Sequence, residues 1–420
     1  MAKTTKRCNI VFVHVDQMTH DAVSSYGNPY VQTPNIDRIA NEGTSFMLAH
    51  SGNPVCCPAR ACWYTGRMSS EHGVVKNRLP LLESLPDLGQ WVRDRGYQAY
   101  YTGKWHIPYR RVDQSFILLP GGRSYGEQGD SGVASVASGF LQQYSGNEPF
   151  FLNVGFLNPH DCCYLTFAPK SPAMKKQVIE KLREHLPPAP KSFDPNRPFK
   201  PHEGGEWNED GVRLYNYYYY RMMEMVDAEI GRVYRALKNS RFFENTLFLF
   251  TADHGEMLGH QNQFKKGVFF ESALRVPLVL AWPGRIPQNR KDDVHLVSGV
   301  DLPATILDYA EMDPMPDMSV ARSLRPLLED KKPSWREYVV AESYSGGPGR
   351  AVRTERYKAF LYQDGSSYLY DIKTDPFEKH DLARDSAYSD ELNRCRHYHN
   401  EFVKQLKLHP DFQGFSHVPA

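Results

Sequence analysis

The sequence predicts an α/β fold with a large sheet flanked by helices and a small antiparallel sheet near the C-terminus. Three observations carry this. Apolar runs of strand length at residues 9–15, 150–156 and 245–251 lack polar alternation, as strands buried on both faces require. Segments with helical spacing separate them, the pattern of a parallel α/β sheet. Beyond Leu327 the pattern changes to short aromatic strands with hairpin-type turns. The 420 residues are enough for one large domain and an appendage, with the division expected between 1–327 and 328–420.

Composition narrows the function classes. Lys+Arg 50 against Asp+Glu 49 leaves a formal net charge of +1, which gives no support for a nucleic-acid or membrane-surface partner. No apolar run is long enough to span a bilayer. Residues 1–7 run into the first strand without a secretion-type apolar region, so the expected location is cytoplasmic; a periplasmic or secreted one holds if a signal peptide has been removed. The seven cysteines include two adjacent pairs and no Cys-x-x-Cys spacing, which argues against a disulfide framework and for a reducing compartment.

Taken in order, the strand at 9–15 ends in Asp16-Gln17, at the carboxyl end where open α/β sheets place ligands. Both side chains offer oxygen to a hard cation, and both also suit a plain turn. Residues 33–40 read as a capped helix and 44–49 as a strand. In 54–67, Pro58 suits the first turn of a helix and Gly66 its end. Cys56 then lies at the helix mouth, where free N–H groups favour anions, with Arg60 one turn on. Two readings stay open: an anion site combining a nucleophile with a guanidinium, or a buried cysteine with an outward arginine.

Residues 85–96 have helical spacing, and the strand 97–102 ends in Gly103-Lys104-Trp105-His106. The Gly, Ser and Gln of 120–149 predict an irregular surface insertion. The strand 150–156 leads to Asn158-Pro159-His160-Asp161, where a lone histidine is more often structural than catalytic. Residues 186–210 read as a long loop, and 215–237 as a helix whose methionines and aromatics pack in the core. The strand 245–251 ends in Asp253-His254-Gly255-Glu256, and 276–281 is a fifth strand. Aromatic strands at 338–341, 357–362 and 368–371 follow, with a helix within 381–407 to cover them.

These segments resemble a known family. Cys56-x-Pro58-x-Arg60 followed by Thr65-Gly66-Arg67 resembles the signature of the type I, formylglycine-dependent sulfatases of the alkaline phosphatase superfamily. Ala59 stands where serine is commonest and Tyr64 where an aliphatic residue is usual. Thr102-Gly103-Lys104-Trp105-His106 looks like the second signature, and the run from Thr251 to Gly259 like a metal-binding segment. Lys266, nine residues before Arg275-Val276-Pro277, matches a sulfate-binding lysine, and residues 368–383 match the C-terminal region.

The resemblance implies an alkaline-phosphatase-like large mixed sheet. It implies that a separate maturation enzyme oxidises Cys56 to formylglycine, whose hydrate is the nucleophile. Asp16, Gln17, Asp253 and His254 would hold calcium, with magnesium the runner-up. Gln17 stands where many members carry a second aspartate, which removes one negative charge. Lys104 and Lys266 would contact sulfate, Arg60 would fix the nucleophile, His160 would protonate the leaving alcohol, and His106 would assist release. The expected reaction is hydrolysis of a sulfate monoester of a small molecule or oligosaccharide. A carbohydrate is expected, because the loops at 120–149 and 186–210 would build a polar rim. A phosphonate monoester or phosphodiester hydrolase is the alternative, and a non-catalytic anion-binding relative the third reading.

Overall fold

The computed structural model describes residues 7–122, 124–164, 172–199 and 207–412. The central strand is β1 (Asn9–Asp16), all eight residues of which are buried. In chain order the other strands of the large sheet are β2 (Thr44–Phe46), β4 (Gln98–Gly103), β5 (Ile117–Leu118), β6 (Phe150–Pro159), β7 (Thr246–Ala252), β8 (Leu278–Ala281) and β9 (Arg290–Asp292). They lie in the order β5-β4-β6-β1-β7-β8-β2-β9. From β5 to β7 every pair is parallel, whereas β8 runs antiparallel to both β7 and β2. The sheet is therefore mixed, with a parallel half.

Helices cover both faces. Val11 and Phe248 share a register position, and Phe248 meets Tyr234 of the helix Glu209–Lys238 with ring centroids 4.9 Å apart. On the opposite pleat, Phe12 and His14 meet Trp63 of the helix Cys56–Thr65 at 5.6 and 5.3 Å. The alternation of one strand thus seats two helices on opposite sides, as side chains two apart must share a face. Among the described residues no helix is long and apolar enough to cross a membrane.

Two expectations are corrected. Residues 120–149 are not an irregular insertion, because Gly126–Gln143 form a helix. Val133, Ala134, Ala137 and Leu141 recur at helical spacing and are buried, and Phe140 meets Tyr100 and Phe150 at 4.5 and 5.3 Å. Packing of that stripe overrides the low helix propensity of glycine and serine. Gly132 is needed for close approach, since a Cβ there would meet the Gly121 carbonyl oxygen at 2.8 Å. The strand at 44–49 divides: β2 joins the large sheet, whereas β3 (Ala49–His50) pairs in parallel with β10 (Val297–Ser298). In the expected loop at 186–210, the helix Glu209–Lys238 takes up the end, and 187–199 carry no regular element; residues 200–206 lie outside the described residues.

Four antiparallel strands close the fold in the order β11 (Tyr338–Ser343), β12 (Gly349–Thr354), β13 (Tyr357–Tyr362) and β14 (Ser367–Asp371). One face packs Val352, Ala359, Leu361 and Leu369 against Leu392, Cys395 and Phe402 of the helix Ser389–Val403. The other face packs Ala351 and Phe360 against Phe269 and Leu274. Glu342 on β11, buried, accepts from Ser70 N–H at 2.7 Å and from Arg350 Nε at 2.8 Å, tying this sheet to the rest.

Candidate active site

Strands β4, β6, β1 and β7 are parallel neighbours, so their carboxyl ends meet at one edge of the sheet. Asp16 is the last residue of β1; Lys104, His160 and Asp253 directly follow β4, β6 and β7. Segments up to 237 residues apart in the chain thereby converge where open α/β sheets bind ligands.

The helix Cys56–Thr65 points its N-terminus at this edge. Val55 offers it no side-chain cap; instead Asn77 Oδ1 accepts from Cys57 N–H at 3.0 Å, and the chain leaves the helix through Gly66 at φ 68°. Cys56 Sγ lies 3.0 Å from Lys266 Nζ, 3.1 Å from His254 Nε2 and 3.7 Å from Asp16 Oδ1. Burial and Asp16 push the Cys56 thiol up, but Lys266, His254 and Lys104 outweigh them and hold it well below the ordinary thiol range.

Arg60, one turn on, is completely buried and points inward. Its Nε donates to Asp253 Oδ2 at 2.9 Å and its Nη2 to Asp16 Oδ2 at 3.2 Å. Its Nη1 donates to the Lys104 carbonyl at 2.9 Å and to His14 Nδ1 at 3.3 Å. The guanidinium therefore holds the two aspartates apart and in register, and reaches Cys56 through them. Lys104 Nζ lies 2.5 Å from Asp16 Oδ2. Burial raises the Asp16 carboxyl, but Lys104, His160, Lys266 and Arg60 together keep it well below the usual carboxylate range.

The donors of Asp16, Cys56, Asp253 and His254 all lie within 4.8 Å of one another and are buried. His254 Nδ1 donates to the Gly255 carbonyl at 2.9 Å, which turns the Nε2 lone pair toward this cluster. Gln17, at φ 69°, is anchored by its N–H on Asp253 Oδ1 at 3.0 Å. Its Nε2 donates to Glu256 Oε2, so its Oε1 faces Lys266 Nζ at 2.5 Å, beside Cys56. Two carboxylates, one imidazole and the Cys56 sulfur form a buried cluster compatible with a divalent cation, and the Gln17 amide oxygen lies on Lys266 beside Cys56.

A cavity of about 800 Å³ opens over Cys56, lined by Lys104, His106, His160, Cys163 and Lys266 among others. His160 Nε2 is 3.9 Å from Asp16 Oδ1, and its Nδ1 has no hydrogen-bond partner among the described residues. His106 is exposed at φ 58° and lines the same cavity.

Three residues close to the cluster went unassigned in the sequence. His14 accepts from Arg60 and faces Tyr101 Oη at 3.3 Å; burial and Arg60 lower its pKa well below the histidine range, so it is neutral. A histidine inside an apolar strand was the only sign of it. Glu256 orients Gln17 and accepts from Lys265 N–H, and burial pushes its carboxyl up to about 7. Asn77 caps the Cys56 helix from twenty-one residues downstream, with no motif to mark it.

Comparison with known proteins places this geometry. The family model described as Sulfatase matches residues 8–312, and the one described as N-sulphoglucosamine sulphohydrolase, C-terminal, matches residues 259–405. A Delta 4,5-hexuronate-2-O-sulfatase of Bacteroides thetaiotaomicron is 28% identical, covering 100% of this chain and 95% of its own. An arylsulfatase of Clostridium perfringens is 26% identical over 92% of each chain. The solved structure of a 2-O GAG sulfatase superimposes with a TM-score of 0.82 at 26% identity, covering 99% of this chain and 97% of its own. With the Sulfatase model spanning most of the chain and the cluster built around Cys56, this protein belongs to the sulfatase family of the alkaline phosphatase superfamily and is a sulfuric ester hydrolase.

Proposed function

We propose that the chain hydrolyses a sulfate monoester of a carbohydrate, using a formylglycine made from Cys56 by a separate maturation enzyme and a calcium ion held by Asp16, Gln17, Asp253 and His254, with magnesium as the alternative ion. The observation that carries this reading is the position of Cys56 at a helix N-terminus, with Lys266, His254 and Asp16 around its sulfur. The carbohydrate rests on relatives named for hexuronate and GAG sulfates and on a cavity far larger than one sulfate.

A hydrated aldehyde formed at residue 56 would supply a hydroxyl for attack on sulfur, and a cation held by Asp16, Gln17, Asp253 and His254 would supply Lewis acidity. The chain's own groups do the rest. Lys104 and Lys266 meet charge on the sulfuryl oxygens, prepositioned by Asp16 and Gln17. Arg60 fixes the two aspartates. His160 gives a proton to the departing alcohol oxygen as the S–O bond breaks, and His106 takes one back when sulfate leaves. The net reaction consumes one water and releases alcohol, sulfate and one proton.

Gln17, by leaving the pocket one negative charge short of a two-aspartate site, favours the second reading, a phosphonate monoester or phosphodiester hydrolase. The deciding measurement is kcat/KM for sulfate, phosphate, phosphonate and phosphodiester substrates sharing one alcohol, followed by sulfated monosaccharides and disaccharides. The sulfate is expected to be preferred, in enzyme whose residue 56 peptide carries the aldehyde mass. A higher value for the phosphonate or phosphodiester supports the second reading, and full activity with unmodified Cys56 overturns the nucleophile.

A further inference from the structure

The cavity over Cys56 carries a cation that hydrolysis of a sulfate monoester leaves unused. Arg78 lines it together with Asn77, Lys104, His106 and Lys266. Its backbone lies in the left-handed region at φ 71°, where a side chain is strained and glycine is not. Arg78 directly follows Asn77, whose Oδ1 accepts from Cys57 N–H at 3.0 Å and ties this segment to the mouth of the helix. A strained position that would suit glycine instead presents a long cationic side chain to the cavity.

That side chain is exposed and, among the described residues, has neither an ion-pair nor a hydrogen-bond partner. The other permanent cations of the cavity are engaged: Lys104 with Asp16, Lys266 with Gln17 and Cys56. Asp130, the carboxyl that lines the cavity, accepts instead from the N–H groups of Leu157 and Asn158. A sulfate monoester brings one negative charge, and Lys104 and Lys266 already face it. The same cavity includes Tyr125 and Tyr164, whose rings pair at 5.0 Å while each remains nearly half exposed.

We propose that Arg78 is a specificity-determining residue that binds a second anionic group, a carboxylate or another sulfate, borne by the sugar that carries the scissile sulfate or by its neighbour. The planar guanidinium suits bidentate recognition of either group, and Tyr125 with Tyr164 offers a ring face to the pyranose. The inference rests on the carbohydrate reading above and adds to it that the substrate is at least doubly anionic.

The test compares wild type with Arg78→Gly and Arg78→Lys on two substrate pairs: a hexuronic acid 2-sulfate against its methyl ester, and a hexopyranoside 2,6-disulfate against the 6-sulfate. Glycine suits φ 71°, so Arg78→Gly is expected to keep or raise the Tm. Wild type is expected to prefer the more anionic member of one pair at least tenfold. Arg78→Gly is expected to cut that ratio at least tenfold, mainly through KM, and Arg78→Lys to restore part of it. The pair that responds identifies the group as carboxylate or sulfate. A ratio unchanged within twofold in both pairs overturns the role of Arg78 while leaving the carbohydrate reading intact. Turnover of 4-nitrophenyl sulfate with none of the four sugars overturns the carbohydrate reading itself, and this inference with it.

Discussion

At the scale of single residues, the candidate site depends on charges held out of water by one another. Arg60, Asp16 and Asp253 are all buried, and each is tolerable there because the others, with Lys104 and nearby backbone groups, satisfy it. Asp253 serves three partners, the Arg60 guanidinium and the backbone N–H groups of Gln17 and His254. Asp253→Asn keeps the volume and one acceptor but removes the charge. Elemental analysis of the purified variant is expected to show most of its divalent metal lost, with activity down more than about 100-fold and circular dichroism unchanged. Full metal content with full rate would remove Asp253 from the ligand set. Lys266 was reached only through the family resemblance, whereas Cys56 and Arg60 were legible because their spacing to Pro58 and Gly66 places them on the first turn of one helix. His14 and Glu256 were not, because each matters only through a side chain brought to it by folding.

At the scale of elements, the Cys56–Thr65 helix shows a terminus completed from elsewhere. Val55 supplies no capping oxygen, and Asn77 reaches the Cys57 N–H in its place. Losing such an acceptor costs about 1 kcal/mol, so Asn77→Ala is expected to lower the unfolding midpoint measurably, with Asn77→Asp retaining most of the stability. Equal midpoints for Asn77→Ala and wild type would show that the cap contributes nothing. The helix Gly126–Gln143 teaches the converse. Its glycines and serines read locally as loop, yet Val133, Ala137, Phe140 and Leu141 gain more from packing on the sheet than the backbone loses in propensity. The rim of the cavity is therefore partly helical, and Tyr125 and Asp130 project from a supported element rather than from a free insertion.

At the scale of the whole molecule, distant segments are locked by buried acids whose ionisation links stability to pH. Glu71 accepts from Met68 N–H at 2.8 Å and from Lys407 N–H at 3.0 Å, joining two segments 336 residues apart. Burial, only partly opposed by those two bonds, pushes its carboxyl up to about 7. The folded state thus binds this proton more tightly than the unfolded chain, whose glutamate titrates near 4.5. The contribution is full below about pH 4.5, declines as pH rises toward 7 and is constant above, with a slope of at most about 1.4 kcal/mol per pH unit. Glu71→Gln is expected to be less stable throughout, because its amide nitrogen cannot accept, but to lose that slope. Urea midpoints at pH 5, 6 and 7 check it, and parallel curves for wild type and variant would refute it. The sequence alone determined the long strands at 9–15, 97–102, 150–156 and 245–251, their polar endings and the reactive segment, because burial on both faces imposes continuous apolar runs and a helix mouth imposes its proline and glycine at short range. Short strands such as β5, β9 and β12 carry too few residues or too little apolar pattern to show. Only the tertiary structure decided which strands are neighbours, that Arg60 turns inward onto two aspartates, and that Asn77, His14 and Glu256 complete the site. Those outcomes depend on contacts between segments whose separation in the chain leaves no local pattern to read.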